Sequence, residues 1–218
     1  MTAPMPVPTD QSIFHITHVD NLPAMLAGGG LQSDRAISAV GGPAISIGMS
    51  VLKGRRFDIE VPMHRPLMVA DFVPFYFCAR SVMLSVIWYA NHPELAYRGG
   101  QGPILHLRFD LREVVRWAQS EDREWAFTLQ NATAAYAQFR NQPNELQQVN
   151  WRAMPATDWR DPVVKEARQS EFLVRDFVPF DLVEEIGVRD LATHIKVTTL
   201  LSTTSYSPAV NVRPEWYY

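Results

Sequence analysis

The chain is poor in several things at once. It has one cysteine, Cys78, in 218 residues, so no internal disulfide can staple it, and a lone thiol fits a reducing compartment. Net charge is small: 20 Lys and Arg against 23 Asp and Glu leave −3. That excludes a generically basic nucleic-acid binder, and any such role needs a local basic face. Long hydrophobic runs are missing; the richest, Ser81 to Ala90, is about half of the ~20 residues a bilayer requires. The opening Met1-Thr-Ala-Pro-Met-Pro-Val-Pro-Thr-Asp10 has no basic n-region and too many prolines for a signal peptide. It reads as a disordered lead-in over residues 1–12, ahead of a cytoplasmic protein with no membrane contact.

Familiar catalytic motifs are missing too. No GxxxxGK[ST] phosphate loop occurs, because the lysine between Gly48 and Gly54 stands in the wrong order. No serine sits in a GxSxG elbow. The six histidines form no HExxH, and with one cysteine to help them no metal site is expected. What is present is apolar: 47% hydrophobic and 11% aromatic residues exclude intrinsic disorder and suffice for a real core.

Residues 13–218 show no repeat and no linker and read as one domain. Ile13–Thr17 alternates as a strand, with His15 facing away from Phe14 and Ile16. Asp20 or Asn21 caps a short helix to Leu26, ended by Gly28-Gly29-Gly30. Gln32 to Leu67 lacks periodicity and reads as a long functional loop. Val69–Cys78 reads as a buried strand in which Pro74 marks a bulge or an edge. A helix over Ser81–Asn91, a strand over Pro103–Phe109 and a capping box at Asp110-Leu-Arg-Glu113 follow, the last opening a helix to Gln119. Glu124–Leu129 is expected as strand, Ala132–Arg140 as helix and Asn141–Thr157 as loop, with a helix start at Asp161-Pro162. Gln169–Val174 leads into a strand. Short helices are expected at Asp181–Glu185 and Leu191–Leu201, and strands at Ile186–Arg189 and near Trp216–Tyr218. Without a regular βαβ cadence, the fold class is α+β with mostly antiparallel sheet.

Three features point to chemistry. His15 and Thr17 put two polar side chains on one face of an apolar strand, as a satisfied core pair or as a grip on a ribose or carboxamide. Arg55 and Arg56 follow Gly54, as a solvated basic turn or as a fork for phosphate. Gln169 and Glu171 open an apolar strand opposite Phe172 and Val174, as an edge gatekeeper or as a catalytic carboxylate in a cleft.

The blocks Phe14-His-Ile-Thr-His-Val-Asp-Asn-Leu-Pro23, Ile45-Ser-Ile-Gly48, Gly54-Arg-Arg56, Val73-Pro-Phe-Tyr-Phe77 with Met83-Leu84, and Arg168-Gln-Ser-Glu-Phe-Leu-Val174 resemble, in order and spacing, the DarT family of DNA ADP-ribosyltransferases. The resemblance runs from Phe14 to Tyr218. It implies an ADP-ribosyltransferase-like fold with a split antiparallel sheet and peripheral helices. It also implies a toxin that uses NAD as co-substrate, without metal, to modify thymine in single-stranded DNA, and a DarG-type antitoxin partner with a macrodomain. By this resemblance Glu171 is the catalytic glutamate and Arg56 the essential arginine, with Arg55 as the alternative if the register slips. His15, Thr17, Asn21, Tyr76, Met83 and Asn131 fall on the cofactor side. Asn131 stands where the family pattern calls for a histidine, and an amide cannot carry a proton near neutral pH. Lys53, Arg55, Arg152, Trp159, Arg160 and Lys165 are the candidate DNA contacts. The rivals are transfer to RNA, plain NAD hydrolysis and a non-catalytic single-strand binding module.

Overall fold

Apolar side chains alternating along the central strands dictate a sheet with two covered faces. The computed structural model describes residues 6–218, so residues 1–5 of the expected lead-in lie outside it. Of the remainder, Val7 packs on the principal core and the Gln11 amide donates to the Phe77 carbonyl at 3.2 Å.

In chain order, strand β1 (Ser12–His18) is followed by helix α1 (Leu22–Ala27), β2 (Gly30–Gln32), α2 (Asp34–Ala39) and α3 (Ser50–Arg56). Then come β3 (Phe72–Tyr76), α4 (Val82–Tyr89), β4 (Ile104–Asp110), α5 (Leu111–Ser120), β5 (Trp125–Thr128) and β6 (Phe139–Arg140). The chain continues through α6 (Pro162–Ala167), β7 (Glu171–Arg175), β8 (Phe177–Pro179), β9 (Glu185–Val188), α7 (Leu191–Leu201) and β10 (Ala209–Val212). Eight strands form one sheet in the order β10-β9-β4-β1-β3-β7-β5-β6, and β2 pairs with β8 in a second. All pairs are antiparallel except β9 with β10, as the α+β reading expects.

The two faces of the large sheet are unequal. One carries the principal core: Ile13, Phe75, Leu107, Phe172 and Ile186 pack under Val114 and Ala118 of α5 and Val197 of α7. On the other face the apolar surface is broken in two. Ile16, Leu84, Ile87 and Ile104 form one cluster, and Phe72, Ala126, Leu173 and Val61 form another. Gly187 opens this face locally: a Cβ there would lie 2.3 Å from the Trp216 ring, so only glycine lets that indole lie on the sheet.

Several expectations need correction. The stretch from Gln32 to Leu67 is not one loop but contains α2 and α3. The first is invisible to periodicity because it buries no residue, although Ser33 caps it by accepting the Ala36 N–H. Ala132–Arg140 is a set of turns ending in β6 rather than a helix: its amides close short turns, Ala134 N–H on the Asn131 carbonyl and Ala137 N–H on the Ala134 carbonyl, each at 3.0 Å. Pro74 lies in an interior strand, not at an edge. Residues Trp216–Tyr218 form no strand; the carboxyl-terminal strand is β10. Gln169 precedes β7 rather than belonging to it.

His106 lies fully buried in β4, edge-on to Tyr217 at 4.7 Å, with Nε2 bonded to the Ala79 carbonyl at 3.0 Å. Burial holds its pKa down to about 4, below the usual 6.5, against the opposing pull of the Ala79 bond. Above pH 6.5 the ring is neutral in the folded and unfolded chain alike, so its protonation adds no cost there, and the fold loses stability as pH falls from there toward 4, by roughly 3 kcal/mol in all. Urea unfolding across pH 7 to 4.5 should show this loss, and His106→Gln should flatten it; an unchanged slope would place the acid sensitivity elsewhere.

Candidate active site

The pairing of β3 with β7 sets Tyr76 opposite Glu171, so phenol and carboxylate stand side by side on the broken face. On the other flank of β3 the ladder fails. Among the described residues β1 registers with β3 at Phe14↔Tyr76 alone, whereas it pairs with β4 from Ser12 to His18. Pro74 has no N–H to offer β1, and the His15 ring takes up the free carbonyl, Nδ1 to Pro74 O at 2.9 Å. A carbonyl only accepts, so Nδ1 carries the proton and Nε2 is left as an acceptor. Burial, partly offset by this bond, lowers the His15 pKa and favours the neutral ring.

The opening holds a cavity of about 440 Å³ lined by His15, Thr17, Tyr76, Met83, Arg56 and Glu171 among others. Glu171 is 4% exposed and Arg56 8%. Arg56 Nη1 donates to Glu171 Oε2 at 2.8 Å, and its Nε lies 3.1 Å from Asp34 Oδ2. Ala132 N–H donates to Glu171 Oε1 at 3.1 Å, while the Glu171 N–H donates to Thr128 Oγ1 at 3.0 Å. Backbone and side chain of the glutamate are thus both fixed. Burial works to lower the Arg56 pKa, but the Glu171 and Asp34 charges outweigh it and raise it, so the guanidinium stays charged. Tyr76 is pushed up by burial first and by the Glu171 charge second, which keeps its phenol protonated. Burial of a carboxylate does not by itself mark the site. Glu185 is equally buried, but its oxygens are matched by Arg108, Asn211 and Arg213, and it lines neither this cavity nor the next.

The two arginines separate. They end α3 rather than ride a loop, and about 100° of helical rotation per residue turns Arg56 inward and Arg55 outward. Arg55 lines a second cavity of about 390 Å³ with Lys165, Tyr136 and Gln169, and that cavity shares Leu52, Asn131 and Thr133 with the first. Lys53 belongs to the first cavity and pairs with Asp34 at 3.4 Å. The remaining DNA candidates line neither cavity. Trp159 is edge-on to Tyr218 at 6.3 Å and under Arg168 at 5.7 Å, Arg160 pairs with Asp158 at 2.6 Å, and Arg152 is exposed.

Thr17 and Asn21 are committed to the wall. Asn21 Nδ2 donates to Thr17 Oγ1 at 3.1 Å and to the Ile45 carbonyl at 2.9 Å, and its Oδ1 accepts the Ile45 N–H at 2.9 Å. One carboxamide so pins the segment that carries Ile45, Ile47 and Met49 along the cavity. Sequence reading missed Asp34, Thr128 and the Ala132 amide. Ser33-Asp34, a cap followed by an acid, was a usable signal for the first; a backbone amide leaves none. Among the described residues no three His, Cys, Asp or Glu side chains gather as a metal site, and no helix is long and apolar enough to cross a membrane.

A family model described as "DarT: ssDNA thymidine ADP-ribosyltransferase, DarT" matches residues 14–218. The chain belongs to the DarT family. A DNA ADP-ribosyl transferase of Thermus aquaticus is 37% identical to it over 219 residues, covering 98% of this chain and 90% of the relative. Thermus sp. 2.9 DarT, solved in complex with ADP-ribosylated ssDNA, is 34% identical with a TM-score of 0.87, covering 97% of this chain and 98% of that one. The same DarT, solved in complex with NAD+, is 33% identical with a TM-score of 0.82 over 97% of this chain and 99% of that one.

In this DarT-family chain the Asn21 clamp yields a local prediction. Asn21→Ala removes its hydrogen bonds to Thr17 and to both backbone groups of Ile45, at a cost of about 1–3 kcal/mol. Hydrogen–deuterium exchange should accelerate at Ile45 and its neighbours while β4 keeps its protection. Unchanged exchange at Ile45 would show that the wall holds without the clamp.

Proposed function

We infer that this chain transfers ADP-ribose from NAD to thymidine in single-stranded DNA, with Glu171 and Arg56 carrying the reaction in the first cavity. What supports the reading above all is a buried carboxylate, 2.8 Å from a buried guanidinium, inside a cavity large enough to admit a ligand. Solvent would screen an exposed pair of this kind, whereas here the surrounding low dielectric preserves its field.

The reaction breaks the bond between nicotinamide nitrogen and ribose C1′, and positive charge builds on the sugar as it breaks. A carboxylate fixed beside that sugar stabilises the charge as it forms, which is selective binding of the transition state. Glu171 meets this need because Thr128 and Ala132 hold it from two sides. The nicotinamide leaves, and C1′ bonds to a ring nitrogen of thymine that gives up its proton. Neutral His15 offers Nε2 as an acceptor, and protonated Tyr76 offers a donor, to the amide and hydroxyl groups of the cofactor. Arg56 Nη2 is buried and, among the described residues, has no hydrogen-bond partner, so it is a spare donor beside the cavity. Met83 and Asn131 complete this side.

The acceptor strand takes the second cavity, with Arg55 and Lys165 toward its phosphates, because that cavity adjoins the first at Asn131 and Thr133. Single strands present unstacked bases, so no duplex need be opened. On this reading Trp159 supports Arg168 and Tyr218 rather than a base. The protein acts in the cytoplasm as a toxin restrained by a DarG-type antitoxin with a macrodomain, and residues 13–218 work as one catalytic domain.

Mass spectrometry of a thymidine-containing oligonucleotide after incubation with protein and NAD should show addition of one ADP-ribose and release of nicotinamide. Nicotinamide release without adduct would make the protein a hydrolase, and labelling of RNA alone would change the acceptor class. Glu171→Gln should lower turnover by about 100-fold or more. Arg56→Ala divides two roles for the arginine: unchanged NAD affinity with lost transfer would end the idea that it steers the pyrophosphate. Arg55→Ala with Lys165→Ala should weaken oligonucleotide binding and reduce its salt slope by about 1–2, leaving NAD affinity alone.

A further inference from the structure

Asp34 is the acid of the first cavity for which the resemblance supplied no role. It stands at the start of α2, 16% exposed at its side chain, with one oxygen 3.1 Å from Arg56 Nε and the other 3.4 Å from Lys53 Nζ. Arg56 is therefore held between two carboxylates. Glu171 takes Nη1 in an aligned hydrogen bond, and Asp34 faces Nε as a charge contact without hydrogen-bond alignment. Nη2, buried, is the edge left over.

This arrangement solves a difficulty in using Glu171 at all. To engage the sugar, the carboxylate must loosen its hold on Arg56, and a buried guanidinium stripped of its counter-ion is strongly unfavourable. A second fixed anion on the opposite edge keeps Arg56 compensated while Glu171 is shared with substrate. It also keeps the guanidinium plane from following Glu171. Lys53 balances the extra charge, so Arg56 and Lys53 face Asp34 and Glu171, two cations against two anions.

We propose that Asp34 is a positioning residue for ADP-ribosyl transfer, a standing counter-ion that orients Arg56 and frees Glu171 to act on the substrate. The proposal rests on the roles assigned above to Glu171 and Arg56. Asp34 acts through Arg56, so with Arg56 serving the transfer step rather than holding the pyrophosphate, its loss should fall on turnover and not on cofactor binding.

The test measures turnover at saturating NAD and oligonucleotide, affinity for a non-cleavable NAD analogue, and melting temperature. Asp34→Asn should lower turnover by about tenfold or more with analogue affinity within about threefold of wild type. Asp34→Glu, which keeps the charge, should recover part of the loss. Asp34→Ser, a residue suited to a helix start, should behave as Asp34→Asn and guards against misfolding of the asparagine variant. Ser33→Ala removes the cap of the same helix and spares the carboxylate, so it should lower the melting temperature and leave turnover alone. In an Arg56→Lys background, Asp34→Asn should change turnover by less than about twofold. Wild-type turnover in Asp34→Asn or Asp34→Ser, an equal loss in Ser33→Ala, or a full additional loss on Arg56→Lys would each overturn the proposal. A wild-type protein that makes no adduct would instead remove the functional reading beneath it.

Discussion

Arg56 and Glu171 lie 115 residues apart in the chain and meet as one buried ion pair. The pair is buried, yet both residues face the cavity. Buried ion pairs contribute little net stability, because desolvation of both charges offsets their attraction. An apolar pair of similar volume would pack at least as well here. What an apolar pair lacks is a field and a donor, and the surroundings preserve both. The sheet face that carries Glu171 is the one on which the apolar surface divides into two clusters, around Ile16 and Leu84 on one side and around Phe72 and Leu173 on the other.

Pro74 supplies the second constraint. A residue with a free N–H would let β1 and β3 zip along their length, as β1 and β4 do, and the sheet would close. The missing donor stops the ladder one pair in, and the His15 ring, rather than water, satisfies the carbonyl that is left. The same bond sets the tautomer of the imidazole. One imino acid thus makes room for a ligand and orients a group that faces it, while Asn21 performs the matching task on the opposite wall by holding Ile45.

Much of this is legible in the sequence. Strong alternation placed β1, β4 and β7, and the acid cap Asp110 marked α5 through bonds to the Arg112 and Glu113 amides. Glu171 stood out because a carboxylate at the head of an apolar strand needs an explanation. Other features left no such trace. The α2 helix buries nothing, so it has no apolar stripe to read. The run Ala132–Arg140 has good intrinsic helix propensity, yet it offers no amphipathic face, and its chain turns through short bonds at Ala134 and Ala137 into β6. The Trp159–Arg160 pair looked like a nucleic-acid contact on composition alone. In the structure Trp159, half-buried, packs on Tyr218 and on Arg168, whose guanidinium collects the carbonyls of Ala153 and Ala156. Composition cannot distinguish an aromatic offered to a base from one that covers a buried cation.

The segment around Asn131 links the two cavities in a way that bears on the order of events. The Asn131–Thr133 turn borders both, and between them the Ala132 N–H holds one oxygen of Glu171. The turn that borders the second cavity is therefore the one that fixes the carboxylate in the first. At Asn131 an amide stands where the resemblance calls for an imidazole, and an amide exchanges no proton near neutral pH. The position can serve by holding the turn, a task for which the carboxamide oxygen, already bonded to the amide and hydroxyl of Thr133, is well suited.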